Sequence, residues 1–192
     1  MVLKWNKQFE YPKSVRELIN EKRHYAIGEE KLPSVTTILS ATQSQEKQDS
    51  LARWKAKVGE NEAERVKNTA GARGTKMHSI LEGYIEGENV LDLTETGGEA
   101  HRMANTIIDQ GFKDLDEIWG SEATLAYPGL YAGATDLVGI YQGRDSIIDF
   151  KQSNKPKKVE WIEDYKLQGA AYATAHDYMF KTNIEQIVIL MC

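Results

Sequence analysis

The sequence predicts an α/β fold: a four-stranded mixed sheet flanked by helices, under an N-terminal helical cap. Three observations carry the prediction. Apolar residues repeat at helical spacing between Ala72 and Glu86. Three runs rich in β-branched and aromatic residues then follow one another between turn signals, and an alanine-dense helical stretch leads into a closing apolar strand.

Residues 1–70 read as the cap, built of short, mostly helical pieces. Ser34 is placed to N-cap a helix beginning Val-Thr-Thr-Ile-Leu, and Asp49 to Asn68 is rich in helix formers, with Gly59 as its weak point. Residues 71–192 read as the core. Met77, Ile80, Leu81, Tyr84 and Ile85 fall on one helical face, and a second helix is expected over Gly97 to Gln110. Ser121 to Tyr127, Tyr131 to Tyr141 and Ser146 to Lys151 read as successive antiparallel strands, separated by Pro128-Gly129 and by the turn signal Gly143 to Asp145. Trp161 to Met179 is helical, and its small residues from Gly169 to Ala175 let it lie close on a sheet. Ile187 to Met191 is a short buried strand.

Composition narrows the function classes. With 192 residues, 41% hydrophobic and 28% charged, the chain buries a core and is not a disordered or fibrous protein. Cys192 is the only cysteine, which excludes a disulfide framework or a thiolate metal cage; any metal is held by oxygen or histidine. The net charge of -5 argues against a simple phosphate-neutralising binder, although a site built from carboxylates can sit beside a local basic groove. No run approaches the roughly 18–20 apolar residues of a membrane span, and Met1 to Glu10 lacks the apolar stretch of a signal peptide. The expectation is a cytoplasmic chain without a membrane partner.

Chemistry concentrates in Gly133-Ala-Thr-Asp-Leu-Val-Gly and Ile147-Ile-Asp-Phe-Lys. Residues two apart in a strand share a face, so Asp149 and Lys151 point together, and antiparallel pairing brings Asp136 towards Asp149. Two carboxylates at that distance repel unless a cation lies between them, and hard oxygen ligands suit Mg²⁺ or Mn²⁺. Lys151 adds a positive charge at the edge, where it can orient a water or offset charge building on a phosphate. The bland reading of an Asp-x-Lys triplet is a solvated surface ion pair. Here it ends an apolar strand, follows one with Asp136 between glycines, and precedes a helix with polar residues on its inner stripe.

These segments, together with Gly74-Thr-Lys-Met-His78 and Gln168-Gly-Ala-Ala-Tyr172, resemble the PD-(D/E)XK nuclease superfamily and within it the RecB-like exonucleases. Leu32-Pro-Ser-Val-Thr also looks like the start of the mitochondrial genome maintenance exonucleases and their phage relatives. The resemblance implies a restriction-endonuclease-like core over about residues 71–192. It implies that Asp136, Asp149, the backbone carbonyl of Phe150 and His78 ligate the metal and that Lys151 is the catalytic lysine. Gln168 and Tyr172 would steady the lysine and the scissile strand. Read without the resemblance, His78 is a core histidine or a ligand, and Gln168 a helix-sheet packing residue. Glu82 is an exposed carboxylate or an acceptor behind His78, and His24, His101 and His176 are surface or structural; Glu122 lies where the resemblance implies an auxiliary acid.

Basic residues gather over Arg53 to Lys76 and Lys151 to Lys166, where Trp54 or Trp161 either stacks on an unpaired base or packs in the core. The function expected is Mg²⁺- or Mn²⁺-dependent DNA hydrolysis, by an exonuclease on single-stranded DNA or DNA ends, in a bacterial cell or phage-infected host. The rivals are a structure-specific or restriction-type endonuclease and a non-cleaving DNA-binding subunit of the same fold. The resemblance further implies an arch that threads a single strand, and relatives that continue beyond the position where this chain stops, Cys192.

Overall fold

The structure, a computed structural model, describes residues 3–192. Its centre is a four-stranded sheet in the order β4 (Leu115–Tyr127), β5 (Tyr131–Tyr141), β6 (Arg144–Lys151), β7 (Gln186–Met191). The first three strands form an antiparallel meander and β7 joins parallel to β6, so the sheet is mixed as predicted. The turn chemistry explains the meander. Pro128 and Gly129, the latter at φ 71°, form a turn closed by Leu130 N–H donating to Tyr127 O at 3.1 Å. Gln142 and Gly143, at φ 50° and 74°, make the two-residue left-handed turn whose twist matches the strands it joins.

A parallel neighbour requires a crossover, and helix α5 (Glu163–Phe180) supplies it. Gly169 is what lets α5 lie on the sheet: a Cβ there would stand 2.3 Å from Ile187 Cγ2. The sheet buries both faces. Ile118, Leu137, Ile148 and Phe150 pack under helices α3 (Glu60–Glu86) and α4 (Glu95–Thr106), against Met77, Leu81 and Ala104. Leu125, Val138 and Ile147 pack on the other side against Tyr172 and Ala175 of α5 and Val35 of α1 (Val35–Ala41). Ser34 caps α1, accepting the Thr37 N–H at 3.0 Å.

The N-terminal region departs from the mostly helical reading. Val15–Ile19, Lys22–Ile27 and Glu30–Pro33 are strands β1 to β3 of an antiparallel sheet, lying against β5 through Tyr25, Leu32 and Ala132. Short, charged strands with only two buried side chains carry little alternation, which is why they escape a pattern reading. The expected seam at Gly71 lies inside α3, one helix of 27 residues. The break falls instead at Gly59, φ 87°, where α2 (Gln45–Val58) ends. Packing beneath α3 outweighs the helix cost of Gly71 and Gly74, about 1 kcal/mol each.

Candidate active site

Side-chain alternation puts Asp136 on the face of β5 that carries Val138, and Asp149 and Lys151 on the face of β6 that carries Ile147. All three therefore look towards α5. The β5–β6 ladder ends at Leu137 and Ile148, and Asp136 takes over from it. Its Oδ2 accepts the Phe150 N–H at 2.6 Å, and its Oδ1 lies 3.0 Å from His78 Nδ1 of α3. One carboxylate thus joins two strands and a helix. Phe150 itself is buried in the core, so it offers the site only main-chain atoms.

Asp149 is almost fully buried, and its Oδ2 has no hydrogen-bond partner. Lys151 Nζ lies 2.5 Å from that oxygen as an ion pair, outside hydrogen-bond geometry. Burial pushes Asp149 up, to about 6; the Lys151 charge opposes the shift and Asp136 adds to it. His78 is half-buried, which by itself lowers its pKa, but the hydrogen bond and charge of Asp136 outweigh that desolvation and raise it. Asp136 and Asp149 share a pocket in which burial already disfavours a charged carboxylate, and a cation there would relieve both their repulsion and that desolvation.

The tightest cluster is not quite the predicted one. His78, Glu122 and Asp136 offer ligand atoms within 4.8 Å of one another, and Asp149 stands outside that set, engaged with Lys151. Glu122 enters through a backbone device that alternation does not reveal. Ser121 pairs with Leu137 and Ala123 with Thr135, while Glu122 between them sits at φ 45°, a left-handed conformation inside a strand. Such conformations cost of order 1–3 kcal/mol and are held where surrounding structure demands them. Burial and the neighbouring Asp136 raise its pKa. One imidazole with hard carboxylate oxygens fits Mg²⁺ or Mn²⁺.

On α5, Gln168 Nε2 donates to Tyr172 Oη at 3.2 Å. Tyr172 is buried, and burial raises its pKa, so it stays a neutral phenol. Gly133 makes room for it: a Cβ there would lie 2.7 Å from the ring and its hydroxyl. The glycine of the Gly-x-x-Asp segment is therefore a packing requirement of the tyrosine one layer above.

A cavity of about 560 Å³ opens over these groups. Its far wall comes from the N-terminal sheet, which carries Arg16 and Arg23. Arg16 Nη2 donates to Glu122 Oε2 at 3.1 Å and its guanidinium lies over Tyr25, 5.8 Å from the ring centre. These arginines are not legible as site residues in the sequence because the sheet that presents them is not; Asn20, at φ 50° in the turn between β1 and β2, is the available hairpin signal. Glu82 also lines the cavity but is exposed, and His24 and His101 lie outside it. His176 is wholly buried elsewhere.

Fold and cavity together define an α/β protein with a nuclease-like core: a mixed sheet whose acidic and basic groups converge on a cleft under a helix. The chain is similar to mitochondrial genome maintenance exonuclease 1, at 31% identity to the Mus musculus protein over 170 residues, 82% of this chain and 49% of that relative. The Homo sapiens protein is 28% identical over 82% of the chain and 48% of its own length, and the Xenopus tropicalis protein 29% over 88% and 50%. The chain spans about half the length of these curated relatives. The exonuclease resemblance drawn from the motifs holds across the alignable chain, while no protein-family model matches. Among the described residues no helix is long and apolar enough to cross a membrane.

Proposed function

We infer that the chain is a divalent-metal-dependent DNA exonuclease, acting on single-stranded DNA or DNA ends with Mg²⁺ or Mn²⁺. The observation that carries the reading is the convergence of His78, Glu122 and Asp136, with ligand atoms within 4.8 Å of one another, beside the buried Asp149–Lys151 ion pair. The names of the relatives support the nuclease class.

His78, Glu122, Asp136 and Asp149 would hold the cation, which supplies positive charge against the negative charge building on the phosphate. Asp136 fixes the arrangement, because its hydrogen bond to the Phe150 main chain prevents the carboxylate from swinging out. Lys151 holds its ammonium against Asp149 and 5.2 Å from the Tyr165 ring centre, where it can orient a water and offset charge on a phosphate oxygen. Gln168 and Tyr172 line the same cavity as Asp149, held to each other by the amide-to-phenol hydrogen bond.

The test uses end-labelled linear and circular single strands with Mg²⁺, Mn²⁺ or chelator. Linear strands are degraded only with metal, and Asp149→Ala and Lys151→Ala each slow the reaction at least ~100-fold, the scale of losing a principal electrostatic group. Unchanged rates in both variants refute the site, and efficient cutting of circles replaces the exonuclease with an endonuclease.

A further inference from the structure

The basic run Arg53 to Lys76 contains one arginine that is placed unlike its neighbours. Arg65, on the same helix α3, keeps 68% of its side chain exposed and pairs with Glu62 one turn earlier; Arg73 keeps 12% and turns inward. Its guanidinium is shared among three side chains. Nε and Nη2 donate to Gln152 Oε1 at 3.1 and 2.7 Å, Nη2 also donates to Asn154 Oδ1, and Nη1 donates to Glu99 Oε2 of α4 at 3.2 Å. The Gln152 amide in turn donates from Nε2 to Ala70 O at 3.1 Å, so both of its polar atoms are held by α3. A guanidinium whose edges are taken in this way has no free fork for a phosphate, and Arg73 does not line the cleft.

We propose that Arg73 is the positioning residue of Lys151, acting through Gln152. The proposal deepens the nuclease reading and rests on it for the chemical role of Lys151. The need lies in how β6 ends. Its ladder to β5 stops at Ile148, Asp136 takes the Phe150 N–H, and Gln152 has no main-chain hydrogen bond among the described residues. On the β7 side, Lys151 O accepts the Cys192 N–H at 3.0 Å and the Ser153 N–H donates to Cys192 O at 2.7 Å. A strand end tied along one edge is free to roll about that edge. Gln152, on the opposite face from Lys151 by alternation, is the handle that stops the roll: Arg73 grips it from α3, and Glu99 of α4 steadies the guanidinium. Fixing Gln152 fixes the direction in which Lys151 leaves the sheet, towards Asp149 and the Tyr165 ring. The charged fork makes a stronger hold than a neutral amide pair. Helix α3 also presents His78 to Asp136, so one clamp sets the lysine against the proposed metal ligands.

Single-turnover hydrolysis of an end-labelled linear strand with Mn²⁺ tests this, with Arg73→Gln and Gln152→Ala each made alone and together with Lys151→Ala. Alone, each lowers the maximal rate roughly 10–100-fold, the scale of moving a positioned group by up to about 1 Å, and leaves half-saturation near wild type. In the Lys151→Ala chain neither change slows the reaction further, because the group they position is gone. Rates that fall by the same factor with and without Lys151 show a purely structural role and overturn the proposal. A change confined to half-saturation also overturns it, by making Arg73 a strand contact. A readout independent of turnover is the Lys151 Cε resonance in chelator, from a chain carrying ¹³C-labelled lysine and assigned by its loss in Lys151→Arg. The resonance moves in Arg73→Gln and Gln152→Ala and stays in Arg65→Gln; one that stays in all three overturns the proposal. Gln152→Ala leaves Arg73 with Glu99 and Asn154, so it decides the matter where Arg73→Gln does not fold. If wild type hydrolyses no strand with Mg²⁺ or Mn²⁺, the nuclease reading has failed and the Lys151 resonance alone decides the positioning. Hydrolysis by wild type with an unmoved resonance in both variants removes the positioning and leaves the nuclease.

Discussion

Two histidines on two helices, the half-buried His78 on α3 and the fully buried His176 on α5, have pKa values shifted in opposite directions. His176 has no exposed surface and is packed among Phe9, Tyr11, Trp119 and Phe180, with ring centres 5.0 Å from Phe9 and 4.9 Å from Phe180. Its nitrogens meet only neutral hydroxyls, Tyr11 Oη at 3.1 Å and Thr182 Oγ1 at 2.7 Å, and burial pushes it down to about 4. His78 faces a carboxylate that the Phe150 main chain holds in place, and it is raised. Burial alone makes a histidine a neutral pin between layers. A rigid acid partner beside a cavity makes it a group whose charge answers to whatever enters.

The largest break in this contrast is Asp136→Asn. Strand hydrolysis drops at least ~100-fold, and His78, relieved of its acid, titrates below its ordinary value instead of above it. A His78 titration unmoved by the change, followed by NMR of the imidazole proton, would show that Asp136 is not its controlling partner. His176→Ala acts on the other region. The lost packing and hydroxyl bonds cost about 2–4 kcal/mol, lowering the melting temperature by roughly 2–4 °C for each of them. Oligonucleotide cleavage well below that temperature stays near wild type; a selective loss of turnover with an intact melting temperature contradicts a structural pin.

The pH dependence sharpens the comparison with a smaller effect. For His176 the unfolded chain binds the proton more readily, so its contribution to stability is lost as pH falls from about 6.5 through 4, on the order of 3 kcal/mol when complete. For His78 the folded state holds the proton more tightly. Its stabilisation is present below about pH 6.5 and fades as pH rises through its higher folded value. Denaturant melts in chelator of His176→Phe and of His78→Gln, compared with wild type across this range, separate the two opposed slopes, and parallel slopes would end the distinction. Smallest is Arg16→Ala. Its pair with Glu122 is largely solvated, so stability changes by less than about 1 kcal/mol in a melt.

Much of the core is legible in the sequence because its signals are local. Tyr131 to Tyr141 is a strand with the bounds its pattern indicates, and β6, β7 and α5 lie within a few residues of their expected positions. Period-two alternation around Asp149 and Lys151 places them on one face, and turn residues specify the meander. The N-terminal strands are not legible: their burial depends on contact with β5, far away in the chain.

By itself the sequence determined the βββαβ order and the shared face of Asp136, Asp149 and Lys151, because backbone periodicity and turn stereochemistry act over a few residues. Only the tertiary structure decided that Glu122 turns inward at a left-handed backbone to join His78 and Asp136, and that Arg16 comes from a separate sheet to meet it. Those positions arise where a left-handed strand residue, a ladder end and packed layers converge, and the free energy that holds them belongs to contacts between segments remote in sequence.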